Sequence, residues 1–198
     1  MGRPIIFAVK FLRMKRIIGV LAAIVLLASC NSKQGWKKKA IDDKEKSVME
    51  AAKRGKIDTS GLKDLLVAYD AYVAAYPDDT NSANYLFKEA DFYRYMRKPK
   101  KSIEIYTNIY NTYPNYFKRP YSLFLQGFIY ENEIHNLDSA KAKYEMFLQV
   151  YPNHPIAKDV RMTLNSLGKS PEEVIAEFEA HQKSDSAMAG AKDMKGMK

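Results

Sequence analysis

The chain has little that could support catalysis or metal binding. Its 198 residues include one cysteine, Cys30, and three histidines. A single cysteine excludes an intrachain disulfide, and no histidine pair has the spacing of a zinc-binding helix. No glycine-rich phosphate loop and no nucleophile elbow around a serine occurs. The sequence therefore predicts no catalytic residue, no metal site and no cofactor, and we interpret the chain as a non-enzyme.

A basic folded domain is also missing, although the net charge is +9. Residues 1–29 contain five basic and no acidic residues, and residues 33–56 carry a net charge of +5. From Ile57 onward the net charge is −1. A nucleic-acid-binding domain needs its Lys and Arg clustered on the folded surface. The distribution therefore predicts no nucleic-acid partner.

No apolar run is long enough to cross a membrane. Ile17–Ala28 has twelve residues, about 18 Å of helix, whereas the hydrocarbon core is about 30 Å thick. The run follows Lys15 and Arg16 and ends in small residues, which is typical of a secretory signal. We interpret residues 1–29 as a signal peptide, with Met14 as the natural start.

The residues Leu-Ala-Ser-Cys that end at Cys30 resemble the lipobox of bacterial lipoproteins. The resemblance implies that Cys30 is lipidated, that the chain is cut before it, and that residues 30–39 form a lipidated tether. Asn31 is not the Asp associated with inner-membrane retention, so the resemblance favours the outer membrane. Lysines follow where some lipoproteins carry an acidic run for export to the cell surface, which favours a periplasm-facing protein. The alternative is a buried cysteine in an uncleaved anchor. Trp36 and the neighbouring lysines fit either the headgroup level or a solvated linker.

Three predicted helices carry similar residues along one face, and each ends in a Tyr-Pro pair. Within each stripe the offsets of four, seven and eleven residues place four side chains on one helix face. The proline then stops the helix. The Tyr-Pro pairs lie 37 and 38 residues apart, a period that predicts stacked helical repeats. The sets are Leu65, Tyr69, Tyr72 and Tyr76; Ser102, Tyr106, Ile109 and Tyr113; and Ala140, Tyr144, Phe147 and Tyr151.

Helices of a first type are predicted before the last two of these second-type helices, over residues 82–97 and 117–133. Small residues at Ala90 and Gly127 should allow close helix approach, and an extra residue is expected in the turn of the second repeat. Asp138 is the expected N-cap of the helix that follows that turn. Their apolar sets repeat at an offset of 37: Leu86, Phe87, Ala90 and Tyr93, then Leu123, Phe124, Gly127 and Tyr130.

The two ends of the repeat region are less regular. Residues 40–56 predict a separate charged helix that packs loosely on the first repeat or remains dynamic. A third first-type helix is expected over residues 155–167. Ser170 and Glu173 then form a capping-box pattern, which opens a closing helix whose inward residues are predicted to be Val174, Ile175 and Phe178. Residues 183–198 lack periodicity and predict a disordered tail.

Over residues 62–167, the residue types at matched positions of the successive repeats resemble those of tetratricopeptide repeats. The early Trp of that family is missing, and the period exceeds its usual value of about 34 residues. Long turns of this kind look like those of bacterial envelope lipoproteins, including the outer-membrane protein assembly subunit and the periplasmic coordinator of peptidoglycan synthesis. The resemblance implies an all-α, right-handed solenoid of about three helix pairs with a C-terminal capping helix, within residues 57–182. The matching columns are Ala90, Tyr93, Ser102, Tyr106 and Pro114, then Gly127, Tyr130, Ala140, Tyr144 and Pro152.

In this family the first-type helices form a concave face that binds peptides. The resemblance therefore implies a lipid-anchored scaffold whose partner is an envelope protein or peptide. A peptidoglycan- or glycan-binding lipoprotein that uses surface tyrosines is the alternative, and the oligomeric state stays open. A basic cluster fits a solvated turn, an acidic partner or a lipid headgroup; it comprises Arg94, Arg97, Lys98, Lys100 and Lys101. The expected partner-binding residues are Asn84, Asp91, Arg94, Tyr95, Tyr121, Phe128, Glu131 and Asn132.

Overall fold

The computed structural model describes residues 33–55, 59–177 and 179–180, and every regular element in these ranges is helical. The predicted all-α class is confirmed. The predictions for residues 1–29, for Cys30 and for the tail at 183–198 lie outside the described residues. The helices are α1 (residues 33–53), α2 (Thr59–Ala75), α3 (Thr80–Tyr95), α4 (Pro99–Thr112), α5 (Arg119–Ile129), a π-helical turn (Tyr130–Ile134), α6 (Leu137–Val150), α7 (Ala157–Ser166) and α8 (171–177, continuing at 179–180).

The chain divides into two compact units, Met1–Tyr85 and Leu86–Lys198. The boundary falls within α3, so the first unit contains α1 and α2 and the second contains α4 to α8.

In the first unit, α1 is a full partner of α2, which corrects two predictions. The helix begins at residue 33, inside the segment that we interpreted as a tether. It also packs closely: Ile41 is buried, and Glu45 accepts a hydrogen bond of 2.8 Å from the Tyr69 hydroxyl. The apolar side of α1 is thin because several of its contacts to α2 are polar, and apolar periodicity does not detect such contacts.

The start of α1 is held by a polar network at the end of α2. The Gln34 amide donates to the Tyr72 hydroxyl at 3.0 Å and to Asp79 Oδ2 at 2.6 Å. Tyr72 also donates to Asp79, and the backbone N–H of Asn81 bonds to the same carboxylate. Burial alone would raise the pKa of Asp79, but the bonds from Tyr72, Asn81 and Gln34 lower it below its ordinary value. The carboxylate is therefore stabilised in its ionised form.

In the second unit, side chains at the matched positions of the repeats form the core. α4, α5, α6 and α7 pack in chain order. Burial is complete or nearly complete at the central residues of each inward set, whereas Tyr113, Phe124, Tyr130 and Tyr151 are half-buried. The small residue Ser102 occupies the place where Ala140 lies in the next repeat. The repeat assignment of these helices is therefore confirmed. The inward residues are Ser102, Tyr106, Ile109, Leu123, Ala140, Tyr144 and Phe147.

Each second-type helix ends at its Tyr-Pro pair in the same turn. The N–H of Tyr76, Tyr113 and Tyr151 bonds back four residues into the helix, and the chain then leaves helical geometry. Three residues later another N–H returns to the carbonyl of that tyrosine, at 3.1 Å in all three turns. The same backbone hydrogen bonds therefore recur at each of the three Tyr-Pro pairs that define the period of the sequence. The returning N–H groups belong to Asp79, Tyr116 and His154.

The extra residue of the second repeat lies at the end of the helix and not in the turn. α5 runs into the π-helical turn Tyr130–Ile134, and the N–H groups of His135 and Asn136 both bond to the Tyr130 carbonyl. A π-turn adds one residue to a helix without breaking it. The repeat therefore absorbs the insertion while its two helices remain paired.

The first-type helices end in a left-handed residue. Gly55 and Gly168 have φ of 71° and 76°, whereas Arg97 and His135 adopt φ of 57° and 59° despite their side chains. A side-chain-bearing residue in this conformation costs about 1–2 kcal/mol. Helices commonly end this way, but with glycine at the position. Arg97 and His135 therefore carry local strain at equivalent ends of α3 and α5.

Replacing His135 by glycine should raise the free energy of unfolding by about 0.5–1 kcal/mol, because glycine removes the left-handed strain at an exposed position. Urea denaturation measures the change. Lys98→Gly is the matched control: Lys98 has a φ of −115°, so glycine there should give no gain. A loss of stability in His135→Gly would contradict the strain at this helix end.

Of the two helix N-termini for which the sequence predicts a cap, one prediction is confirmed and one is wrong. Ser170 and Glu173 exchange side-chain-to-backbone hydrogen bonds of 2.7 and 3.2 Å, as the capping box predicts. The N-cap of α6 is Asn136, whose side chain accepts from the Ser139 N–H, and not Asp138. Asp138 instead lies in the first turn, where its charge suits the helix dipole.

The closing helix does not bury its apolar residues. Val174 and Ile175 are exposed on α8 rather than turned inward, and the side chain of Phe178 lies outside the described residues. The prediction assumed that α8 covers the end of the repeats. Its first turn is fixed by the Ser170 and Lys169 contacts, which leave both aliphatic side chains facing solvent.

Candidate partner-binding surface

A tyrosine on each second-type helix holds the first-type helix before it. Tyr106 donates to Asp91 Oδ1 at 2.6 Å, and Tyr144 donates to Glu131 Oε2 at 2.7 Å. Tyr69 makes the equivalent bond to Glu45. All three tyrosines are fully buried. The repeat thus positions its first-type helices with a buried phenol and a carboxylate, a hydrogen bond stronger than one between neutral groups.

These phenols stay protonated. Burial raises the pKa of Tyr106 well above its ordinary value, and the Asp91 carboxylate raises it further. Burial followed by Glu131 does the same for the pKa of Tyr144. The raised pKa favours the protonated hydroxyl, which is the form that donates to the carboxylate.

In the second unit Arg94 links α3 to the π-turn after α5. Its Nε donates to Glu133 Oε1 at 2.8 Å, and its Nη1 lies 4.0 Å from Asp91 Oδ1. The guanidinium lies over the Phe128 ring, 5.2 Å from the centroid, a cation–π arrangement. About a quarter of the Arg94 side chain is exposed, as is a similar fraction of Glu133. One arginine therefore joins the first-type helices of two consecutive repeats.

These residues surround an open groove of about 580 Å³, which we call the Arg94 groove. Tyr95 stands at its edge with 60% of its surface exposed. Arg97 lies on the groove in its left-handed conformation. The groove thus combines an exposed aromatic ring with charges of both signs. The lining residues are Asp91, Arg94, Tyr95, Arg97 and Glu133.

Three of the eight expected binding residues, Asp91, Arg94 and Tyr95, line this groove. Phe128 lies beneath the Arg94 guanidinium and is half-buried. Glu131 is half-buried, and its Oε2 is used by Tyr144. The assignment of these residues to partner binding stays a prediction.

The other three expected residues do not line the groove. Tyr121 is 36% exposed, and its ring packs edge-on against His154 at 5.3 Å. Asn132 is exposed, and its amide donates to the Phe128 carbonyl. Asn84 is half-buried and belongs to the first unit. Two groove residues, Arg97 and Glu133, were not expected there. Arg97 could have been found from its place in the basic cluster, whereas Glu133 reaches the groove through the π-turn.

The basic cluster is partly neutralised. Arg94 pairs with Glu133, and Lys101 pairs with Glu104 at 3.1 Å. Lys98 lies 5.9 Å from the centroid of the Tyr93 ring. Two of the five cations are therefore balanced by carboxylates, which favours the interpretation as a solvated turn over an acidic partner.

Six of the fourteen tyrosines are unavailable for stacking on a glycan. Tyr69, Tyr72, Tyr106 and Tyr144 are fully buried, and Tyr85 and Tyr116 nearly so. Burial of these six supports the interpretation that the repeat tyrosines pack in the core. Among the expected binding residues, only Tyr95 and Tyr121 keep an exposed ring.

The described ranges contain neither a metal-binding cluster nor a membrane-spanning helix. No group of three or more His, Cys, Asp or Glu side chains there could hold a metal ion. Within the same ranges, no helix has the length and hydrophobicity needed to cross a bilayer.

Part of the chain matches a known family of repeats. The family model for the tetratricopeptide repeat matches residues 121–154, which comprise most of α5, the π-turn, α6 and the turn after it. This is the repeat in which the Tyr144–Glu131 bond and Gly127 occur. No curated protein matches the chain. The match supports a tetratricopeptide-like repeat, a fold generally used for protein–protein interaction.

Proposed function

We propose that this chain is a lipid-anchored, non-enzymatic scaffold of the bacterial outer membrane that faces the periplasm and holds an envelope protein on its first-type helices. The observation that carries the proposal is the Arg94 groove, where an exposed tyrosine lies beside a guanidinium fixed by Glu133 and Phe128. Fixed aromatic and arginine side chains contribute most to binding at protein interfaces. The repeat match supports an interaction function.

The rigidity of the groove favours binding. Two of its lining side chains are held from behind: Asp91 accepts a hydrogen bond from Tyr106, and Arg94 donates one to Glu133. Phe128, beneath Arg94, lies 6.4 Å from Phe124 between ring centroids. A surface ordered before binding loses less conformational entropy when a partner arrives. The groove is short, so it suits one peptide segment or one flat protein surface. Outer-membrane protein assembly and cell-wall coordination are the processes that the sequence resemblance suggests.

The anchor is proposed from sequence alone. The apolar run Ile17–Ala28 and the residues up to Cys30 fit a lipoprotein signal. We expect the mature chain to begin at Cys30 with a mass increment of a diacylglyceryl and an acyl group, as measured by intact mass spectrometry of the purified membrane protein. A mature chain that begins elsewhere, or an unmodified Cys30, would exclude lipidation.

The binding surface can be tested by site-specific photocrosslinking in intact cells. A crosslinking amino acid at Tyr95 should yield one discrete adduct with an envelope protein, and Phe128→Ala should reduce its yield at least severalfold because Arg94 then loses its support. Met146 on α6 is 36% exposed and is the matched control, where no such adduct should form. Equal adducts at both positions, or capture of cell-wall fragments at Tyr95, would refute the scaffold proposal.

A further inference from the structure

We propose that the start of α1 is a membrane-surface contact that recognises anionic lipid headgroups, with Trp36 as its interfacial side chain. This inference goes beyond the proposed function, since it concerns the first unit and not the Arg94 groove. Trp36 is 73% exposed, the highest value among the large hydrophobic side chains that the structure describes. Tryptophan is enriched at membrane interfaces because its ring is amphipathic.

The helix geometry turns Trp36 away from the protein. Gln34, Ile41 and Glu45 lie on one side of α1, and all three contact or bury against the first unit. At about 100° per residue, Trp36 lies nearly opposite that side. The bonds from Gln34 to Tyr72 and Asp79 are only two residues away and fix this rotation. The exposure of Trp36 therefore follows from how α1 is held.

Lysines surround this tryptophan. Residues 33–39 contain four lysines and no acidic residue. Lys33 precedes Trp36 by three residues and Lys39 follows it by three, so the two cations flank the ring on the outer face of the helix. Lys39 also forms an exposed ion pair with Asp43 at 3.0 Å. The charge pattern complements an anionic headgroup layer.

This arrangement opposes the local stability of α1. Cations in the first turns of a helix are unfavourable because the helix dipole is positive there. An exposed tryptophan gains nothing from burial in the protein. Sequences break such local rules mainly where a function compensates. An anionic bilayer would relieve both features, since it attracts the lysines and accepts the ring.

Trp36 is the only tryptophan in the chain, so its fluorescence reports on the contact directly. The full-length protein is reconstituted into phosphatidylcholine vesicles with or without phosphatidylglycerol, each also prepared with brominated acyl chains that quench nearby tryptophan. We expect a blue-shifted emission and strong quenching in the anionic vesicles, and weak quenching in phosphatidylcholine alone. The double variant Lys33→Gln and Lys39→Gln should weaken binding of the segment about fivefold for each charge removed and lower the quenching accordingly.

Two controls separate the contact from mere closeness to the membrane. Trp36→Phe combined with Phe117→Trp moves the reporter to a side chain of similar exposure, 67%, on the second unit, and its emission should be unquenched. Lys100→Gln with Lys101→Gln removes the same charge elsewhere and should leave Trp36 quenched. Equal quenching of Trp36 in both vesicle types, or loss of quenching in the Lys100 and Lys101 variant, would overturn the proposal. The Arg94 groove is unaffected by either result.

Discussion

Replacing Tyr144 by alanine should lower the free energy of unfolding by about 3 kcal/mol or more, because the change removes a fully buried ring from a closely packed site. The ring packs on Phe124 at 5.8 Å between centroids, and two of its carbons lie beside Gly127. Its hydroxyl holds Glu131. Alanine leaves a cavity between α5 and α6 that neighbouring helices can fill only by shifting. Urea denaturation of the purified protein measures the loss.

Tyr144→Phe is the matched control for this change. Phenylalanine keeps the ring and loses only the hydrogen bond, which should cost about 1 kcal/mol. Glu131 is half-buried and can turn to water, which limits the cost. A loss below about 0.5 kcal/mol in Tyr144→Ala would contradict the packing of the repeat.

Substitution of Gly127 is the second large effect that we expect. A methyl group at this position would lie 2.6 Å from Tyr144 Cε1 and 2.8 Å from Cδ1, far inside van der Waals contact. The ring cannot move easily, because it is buried and its hydroxyl is tied to Glu131. Gly127→Ala should therefore destabilise the protein by about 1–3 kcal/mol through overpacking, even though alanine is the better helix former by about 1 kcal/mol.

The clash predicts a change of sign in a double-mutant cycle. In a Tyr144→Ala background the ring is gone, so Gly127→Ala should become neutral or stabilising by up to about 1 kcal/mol. Equilibrium unfolding of the four proteins gives the coupling energy. If Gly127→Ala has the same effect with and without the Tyr144 ring, the two residues do not pack as described.

The sequence predicted the repeats because their signal is apolar and periodic. The columns at Tyr106 and Tyr144 recur with fixed offsets, and the prolines mark where each second-type helix ends. Both features act through local backbone geometry and burial, which a single sequence displays. The central buried residues of the repeats and the three Tyr-Pro turns were therefore predicted correctly.

The features that sequence reasoning missed depend on polar or tertiary contacts. The packing of α1 on α2 uses Gln34 and Glu45, whose partners lie more than twenty residues away. The π-turn accommodates the extra residue of the second repeat, which the repeat spacing alone places in the turn between the two helices. The exposure of Val174 and Ile175 depends on where α8 lies, which its own amphipathic pattern does not determine.

The binding surface was predicted in part. Asp91, Arg94 and Tyr95 follow from the family columns and line the Arg94 groove. Glu133 and Arg97 do not, because one is carried there by the π-turn and the other by a left-handed helix end. The place of a residue in the repeat predicts which face of a regular helix it lies on. It does not predict where the side chain lies once the helix departs from regular geometry.

We propose that α3 and α5 bind one partner while the buried tyrosines only hold these helices in place. Photocrosslinking at Tyr121 on α5, in wild-type protein and in Tyr95→Ala, tests it most directly when the free energy of unfolding is measured in parallel. We predict that Tyr95→Ala abolishes the Tyr121 adduct and changes the unfolding free energy by less than about 0.5 kcal/mol, because Tyr95 is mostly exposed. An undiminished adduct in the folded Tyr95→Ala protein would contradict the claim.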